Sequence, residues 1–254
     1  MDPLKDCKNE CEKALPERRE ECLSPGHERP AEGGLLGGLW RDDRTLESMA
    51  GDRTDLARPR LLLHSCCGPC STACLERLYD RFDVTVFFYN PNITDVSEYE
   101  LRKKTQKKVV RCFNEDLSYD GKISFLEGPY DPERYLAWVA GHEEDREGGP
   151  RCGLCFELRL EKTAQTAKMQ GFDAFTTTLT VSPHKDSPTI LSIGRKLGLQ
   201  YGVEFLEENF KKKDGFKRSI ELSKKYGLYR QDYCGCGFSQ WEGCHVGEDP
   251  GDQE

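Results

Sequence analysis

The chain has 254 residues, 36% hydrophobic and 32% charged, with a formal net charge of −8. That length can bury the core of one α/β domain, and no apolar run approaches the roughly 20 residues of a membrane span, so no membrane association is expected. The acidity is uneven. Residues 1–56 hold 9 Lys/Arg against 14 Asp/Glu, residues 237–254 hold 5 Asp/Glu and no Lys/Arg, and the stretch between carries a net +2. An acidic total therefore does not exclude a nucleic-acid partner.

Residues 1–56 lack sustained periodicity and include the Gly- and Pro-rich "ERPAEGGLLGGLW". A disordered or weakly ordered extension is expected there, with Cys7, Cys11 and Cys22 as incidental thiols, and a disordered acidic tail over 241–254. Residues 57–240 are expected to form a catalytic α/β metal-binding domain. "RLLLHS" reads as a strand buried on both faces, followed by a helix over "CSTACLERLYDRF". "DVTVFFYNPN" is a second strand stopped by Asn-Pro-Asn, "DVSEYELRKKTQKKVVRCFNED" a charged helix and "KISFLEGPY" a third strand. A helix over "DPERYLAWVAGHEED" has an Asp-Pro start, and the helix "RCGLCFELRLEKTAQTAKMQG" closes at Gly171. "FDAFTTTLTVSP" is a fourth strand, "SPTILSIGRKLGLQYG" a helix, "VEFLEE" a short strand and "FKRSIELSKKYGLYRQ" the last helix. The alternation predicts a single α/β domain with a mostly parallel sheet and helices on both faces, Rossmann-like and of the HUP/PP-loop type. The loops after the first, second and fourth strands, "HSCCGPC", "YNPNI" and "TVSPHKD", should converge on one crevice.

The chain has 13 cysteines. The first residues show no apolar leader, so a cytoplasmic setting with reduced thiols is expected, where clustered cysteines bind metal or do redox chemistry more often than they pair. Cys66, Cys67 and Cys70 sit where strand hands over to helix, Cys152 and Cys155 open another helix, and Cys234 and Cys236 flank a glycine. A helix start favours thiolate at Cys70, whereas Cys74 reads as a buried packing residue. Seven thiols exceed one tetrahedral zinc site. They suffice for a four-cysteine cluster with two or three left for another metal, with zinc and thiol redox as the alternatives.

Five ordered stretches, "LLLHSCCGPCSTACLERL", "YNPNI…EYELRK", "RCGLCFELRLEKTA", "TTTLTVSPHKD" and "YCGCGFS", resemble the cobalamin-independent epoxyqueuosine reductase family, QueH, over about residues 60–240. The resemblance implies a tRNA-modifying enzyme that reduces epoxyqueuosine at the wobble position to queuosine, fed by an external electron donor. It implies a [4Fe–4S] cluster beside an additional mononuclear iron. Cluster ligation is carried to Cys66, Cys67, Cys152 and Cys155, and the neighbouring iron to Cys70, Cys234 and Cys236. By motif position, His184, Lys185, Ser182 and Tyr233 are candidate proton donors, with His64 a further one. Asn90, Asn92, Tyr99, Arg102 and Ser182 are candidates for substrate contact, with Glu98 on the same wall.

No Gly-rich phosphate cradle for a nicotinamide or flavin follows a strand, consistent with electrons from a metal group. "RKKTQKKVVR" has six Lys/Arg in residues 102–111, and residues 211–225 hold seven, a surface suited to tRNA phosphates. Two other readings stay open. A tRNA thiolase would need a Ser-Gly-Gly-x-Asp-Ser-like loop after the first strand, where "SCCGPC" stands. A zinc-stabilised RNA-binding module would need no redox centre.

Overall fold

The computed structural model describes residues 58–116 and 122–239, all within the compact unit Asp55–Glu254. The expected N-terminal extension, with its three cysteines, and the acidic tail lie outside the described residues. Strands β1 (Arg60–His64), β2 (Asp83–Phe88), β3 (Ser124–Glu127), β4 (Ala174–Thr177) and β5 (Glu204–Phe205) form one parallel sheet in the order β3-β2-β1-β4-β5. Parallel pairing needs crossovers. They run through α1 (Gly68–Leu78), α2 (Val96–Asp116), α3 (Pro132–Trp138), α4 (Pro150–Met169) and α5 (Ser187–Tyr201), and α6 (Gly215–Lys225) follows β5.

β1 is apolar at consecutive positions because both sheet faces are covered. Leu61 and Leu63 pack with Val84, Val86, Leu75 and Val109 on the side of α1 and α2, and Leu62 packs with Phe87, Phe156, Leu160 and Leu197 on the side of α4 and α5. Each such leucine contributes about 1.5–3 kcal/mol. β1 continues to β2 on one side and pairs with β4 on the other, so the strand order reverses at β1. Ligands in such sheets bind beyond the strand ends at that reversal, where Cys66 follows β1. Among the described residues no helix is long and apolar enough to cross a membrane.

Several boundaries differ from expectation. The fourth strand stops at Thr177, and Thr178–Val181 is a 3-10 turn. Its β-branched residues read as strand, but the Thr177 hydroxyl accepts the Leu179 N–H at 3.1 Å and caps the turn. The helix after Asp131 ends at Trp138, well short of Asp145. The first helix begins at Gly68, so Cys70 lies inside its first turn, not at its opening.

Candidate metal centre

Ser65 extends the sheet by donating its N–H to Phe87 O at 2.9 Å. Cys67 is the N-cap of α1 in extended conformation (φ −172°), and its side chain makes no capping bond, so its sulfur is not spent on the helix. Pro69 fits the first turn, where its missing N–H costs nothing. A Cβ on Gly68 would stand 2.8 Å from Thr105 Cγ2, so the turn lies tight against α2. The result is a triad: the sulfurs of Cys66, Cys67 and Cys70 lie within 4.8 Å of one another, with Cys66 and Cys67 3.7 Å apart. Ligand sulfurs ~2.3 Å from one tetrahedral ion stand about 3.8 Å apart. The triad can therefore bind a metal or a cluster.

The second wall comes from α4 and the segment after α6. Cys155 and Cys236 pack together with Tyr135, Val139 and Leu158, while Cys152 accepts the Gly148 N–H at 3.2 Å. Arg102 anchors the Cys234–Cys236 loop from α2. Its guanidinium donates to Cys234 O (3.0 Å) and Tyr233 O (3.2 Å), lies 5.1 Å over the Tyr233 ring and pairs with Glu98, which also accepts the Tyr229 hydroxyl at 2.9 Å. Gly235 has φ +104°, and a Cβ there would meet Ile93 Cγ1 at 2.9 Å.

Between the walls lies a cavity of about 330 Å³, whose lining includes Cys66, Cys70, Cys234, Arg159 and Lys185. Each wall already carries one favoured thiolate. Hydrogen bonds from the Cys67 and Cys70 thiols hold Cys66 well below the ordinary thiol range, aided by Lys185 and Arg159. As donors to Cys66, Cys67 is pushed up to about 12 and Cys70 is raised. The Cys236 thiol likewise lowers Cys234 and is itself raised. Burial pushes Cys155 up to about 11 and also raises Cys152. A bound metal would displace these protons, because the thiolate is the ligand form. Burial opposes the charge of Lys185, but Cys234, Cys66 and Cys70 outweigh it and keep the ammonium.

The sequence-derived site residues divide sharply. Ser182, His184, Lys185, Tyr233 and Arg102 line the cavity with Cys66, Cys70 and Cys234. Asn90, Asn92 and Tyr99, expected to touch substrate, are not on its wall. Asn90 is 1% exposed, donates to Ser65 O at 2.9 Å and accepts from Arg159 at 2.7 Å, so both amide ends are used inside the protein. The Ile93 N–H closes a turn onto Asn90 O at 3.1 Å and buries Asn92 behind it. Tyr99 is buried against Tyr130, ring centroids 4.0 Å apart. Arg102 lines the cavity, but its donors go to the loop and Glu98. His64 is buried and bonded to Thr177 Oγ1 (2.8 Å) and Tyr89 O (3.2 Å); burial first, then Arg159, lower it to about 3, so it stays neutral. Cys74 is in the core, as expected.

Three residues of the site escaped sequence reasoning. Gln231 donates to Cys67 Sγ at 2.8 Å, and Thr178 donates to Cys66 Sγ at 3.4 Å. Neither has a sequence signal. Arg159 had one, lying four residues after Cys155 and seven after Cys152 on one helix face.

Comparison with known proteins agrees with this arrangement. The family described as "Epoxyqueuosine reductase QueH" matches residues 61–242. A protein of that name from Streptococcus pyogenes serotype M1 is 43% identical over 198 residues, 78% of this chain and 77% of its own. Those from Staphylococcus aureus strain Mu50 and Thermotoga maritima are 38% and 39% identical, covering 78% and 72% of this chain and 82% and 91% of theirs. With Cys66, Cys70 and Cys234 lining one cavity and the match running through all three cysteine groups, the chain belongs to the epoxyqueuosine reductase QueH family.

Proposed function

We propose that this protein is an epoxyqueuosine reductase acting on tRNA in queuosine biosynthesis. The observation that carries this reading is that Cys66, Cys70 and Cys234 line one cavity at the sheet's reversal point, with Cys155 packed beside Cys236, in a chain of the QueH family. Loss of the epoxide oxygen as water takes two electrons and two protons, and an external donor supplies the electrons. The donor set fits soft metals: seven thiols, two of them favoured as thiolates, with Lys185 and Arg159 facing them. Cys66, Cys67, Cys152 and Cys155 would hold a [4Fe–4S] cluster, and Cys70, Cys234 and Cys236 a second iron. The grouping of Cys70 with Cys66 and Cys67 makes those three sulfurs the seam between the two. When bound, the cluster supplies electrons singly and the iron a Lewis acid for the epoxide oxygen.

The chain's own residues do the rest. Lys185, kept protonated, and Tyr233 and His184 line the cavity as proton donors, with Ser182 beside them as a substrate contact. Arg102 places Cys234 by holding its carbonyl. The tRNA backbone is proposed to run along a second groove of about 470 Å³, lined by Lys104, Lys108 and Arg111 of α2 and by Tyr229. The segment 227–234 joins the two: Gly227 and Tyr229 face the groove, and residues 230–234 face the cavity. An anticodon loop can splay one base away from such a track. The setting proposed is the cytoplasm, where the thiols stay reduced.

Anaerobic incubation with epoxyqueuosine-containing tRNA and a reductant, followed by nucleoside mass spectrometry, is expected to show queuosine. No queuosine from protein with its full iron and sulfide complement would reject the assignment. Purification with zinc and no acid-labile sulfide would do the same.

A further inference from the structure

Arg159 of α4 is 1% exposed. Its Nη2 donates to Asn90 Oδ1 at 2.7 Å, Nη1 points to Cys155 Sγ at 3.8 Å, and Nε has no partner. Its guanidinium faces the sulfurs of Cys155, Cys66 and Cys234. A guanidinium cannot shed its proton in a protein, and a buried cation without a counter-ion is strongly unfavourable. Lys185 faces Cys234, Cys66 and Cys70 across the same cavity and is repelled by Arg159. Both cations therefore border the same group of sulfurs.

We propose that Arg159 is the fixed counter-charge of the metal centre, raising its reduction potential. This rests on the reading of the site as a redox metal centre. The position suits the role. The Arg159–Asn90 bond continues through Asn90 Nδ2 to Ser65 O, so one buried chain ties the helix bearing Cys152 and Cys155 to the residue before Cys66. A cation fixed beside the ligands favours the reduced, more negative state, and net charge is one of the levers that set the potential of an iron–sulfur centre. Lys185, on the loop before α5, is half-buried, whereas Arg159 is fully buried and bonded to Asn90, so the fixed part of the field comes from Arg159.

The test uses the metal-loaded full chain without substrate, in three variants. Arg159→Met and Arg159→Gln remove the charge, Gln keeping a donor for Asn90; Arg159→Lys keeps the charge and loses the planar fork. Folding is verified by circular dichroism. In both neutral variants the midpoint potential should move to more negative values, and a chelator should strip the metal more readily, by about 10- to 100-fold in affinity as for other outer-shell changes. Arg159→Lys should stay near the parent in both. An unchanged potential in the folded, loaded neutral variants overturns the proposal. So does a shift in Arg159→Lys as large as theirs, which would make Arg159 a hydrogen-bonding strut. If Met at this position does not fold, the Gln and Lys variants decide by the same criteria. A protein that meets these expectations yet leaves epoxyqueuosine untouched would defeat the proposed function and not this inference.

Discussion

The wall bearing Cys66, Cys67 and Cys70 grows out of the sheet, whereas the wall bearing Cys234 and Cys236 is an irregular segment tied down by side chains. In the first, Ser65 still bonds to β2 and α1 starts at once, so backbone hydrogen bonds fix the sulfurs. In the second, the Arg102 guanidinium, its partner Glu98 and the Tyr229 hydroxyl do that work, with one backbone bond from Thr94 N–H to Gly235 O at 3.2 Å. One wall should therefore fail only by loss of its ligands, and the other by loss of its anchor. The arrangement also keeps residues 230–234 between the cavity and the basic groove, the place where a substrate has to enter.

The largest effect is expected at the ladder-built wall. Cys67→Ser should leave the fold standing and abolish cluster and turnover, more than the roughly 100-fold cost of an outer-shell change; iron and sulfide analysis beside a turnover assay measures both. Retention of a full metal complement would remove Cys67 from the ligand set. Next comes the anchor of the other wall. Arg102→Met strands Glu98, whose side chain is 11% exposed, and should cost about 3–5 kcal/mol in urea unfolding. A loss below about 1 kcal/mol, the level of an exposed pair, would erase the distinction between the walls.

Gly235→Ala acts on the same wall more gently. The strained φ and the approach to Ile93 should cost about 1–3 kcal/mol, with loss of the iron assigned to Cys70, Cys234 and Cys236 but not of the cluster. The smallest effect on the centre belongs to the groove. Lys104→Glu with Arg111→Glu should leave metal content unchanged, weaken tRNA binding and lower the slope of log affinity against log salt by about two. An unchanged slope would move the phosphate track elsewhere. Lys103 and Lys107 are poorer probes, because both already pair with Glu127.

The α/β class was readable because its signals are local. A continuous apolar run between turn signals marks a doubly covered strand, and helix periodicity marks its neighbours. The cysteine groups were readable because ligand spacing is written along the chain. The Thr178–Val181 turn was not, since a threonine hydroxyl competing for the backbone leaves the same β-branched letters as a strand. Asn90 and Tyr99, expected as substrate contacts, make their contacts inside the protein: motif position says that a residue matters, not whether its side chain faces a substrate or a neighbour.

The sequence by itself determined the alternation of strands and helices, the seven-cysteine set and the basic character of α2, all properties of residue type and spacing over a few turns. Tertiary structure alone decided that Cys70 joins Cys66 and Cys67, that Arg102 serves a loop more than 130 residues away, and that Arg159 is buried facing sulfur. These depend on which groups meet across the sheet's reversal point, and burial is what makes a charge there costly enough to need specific partners.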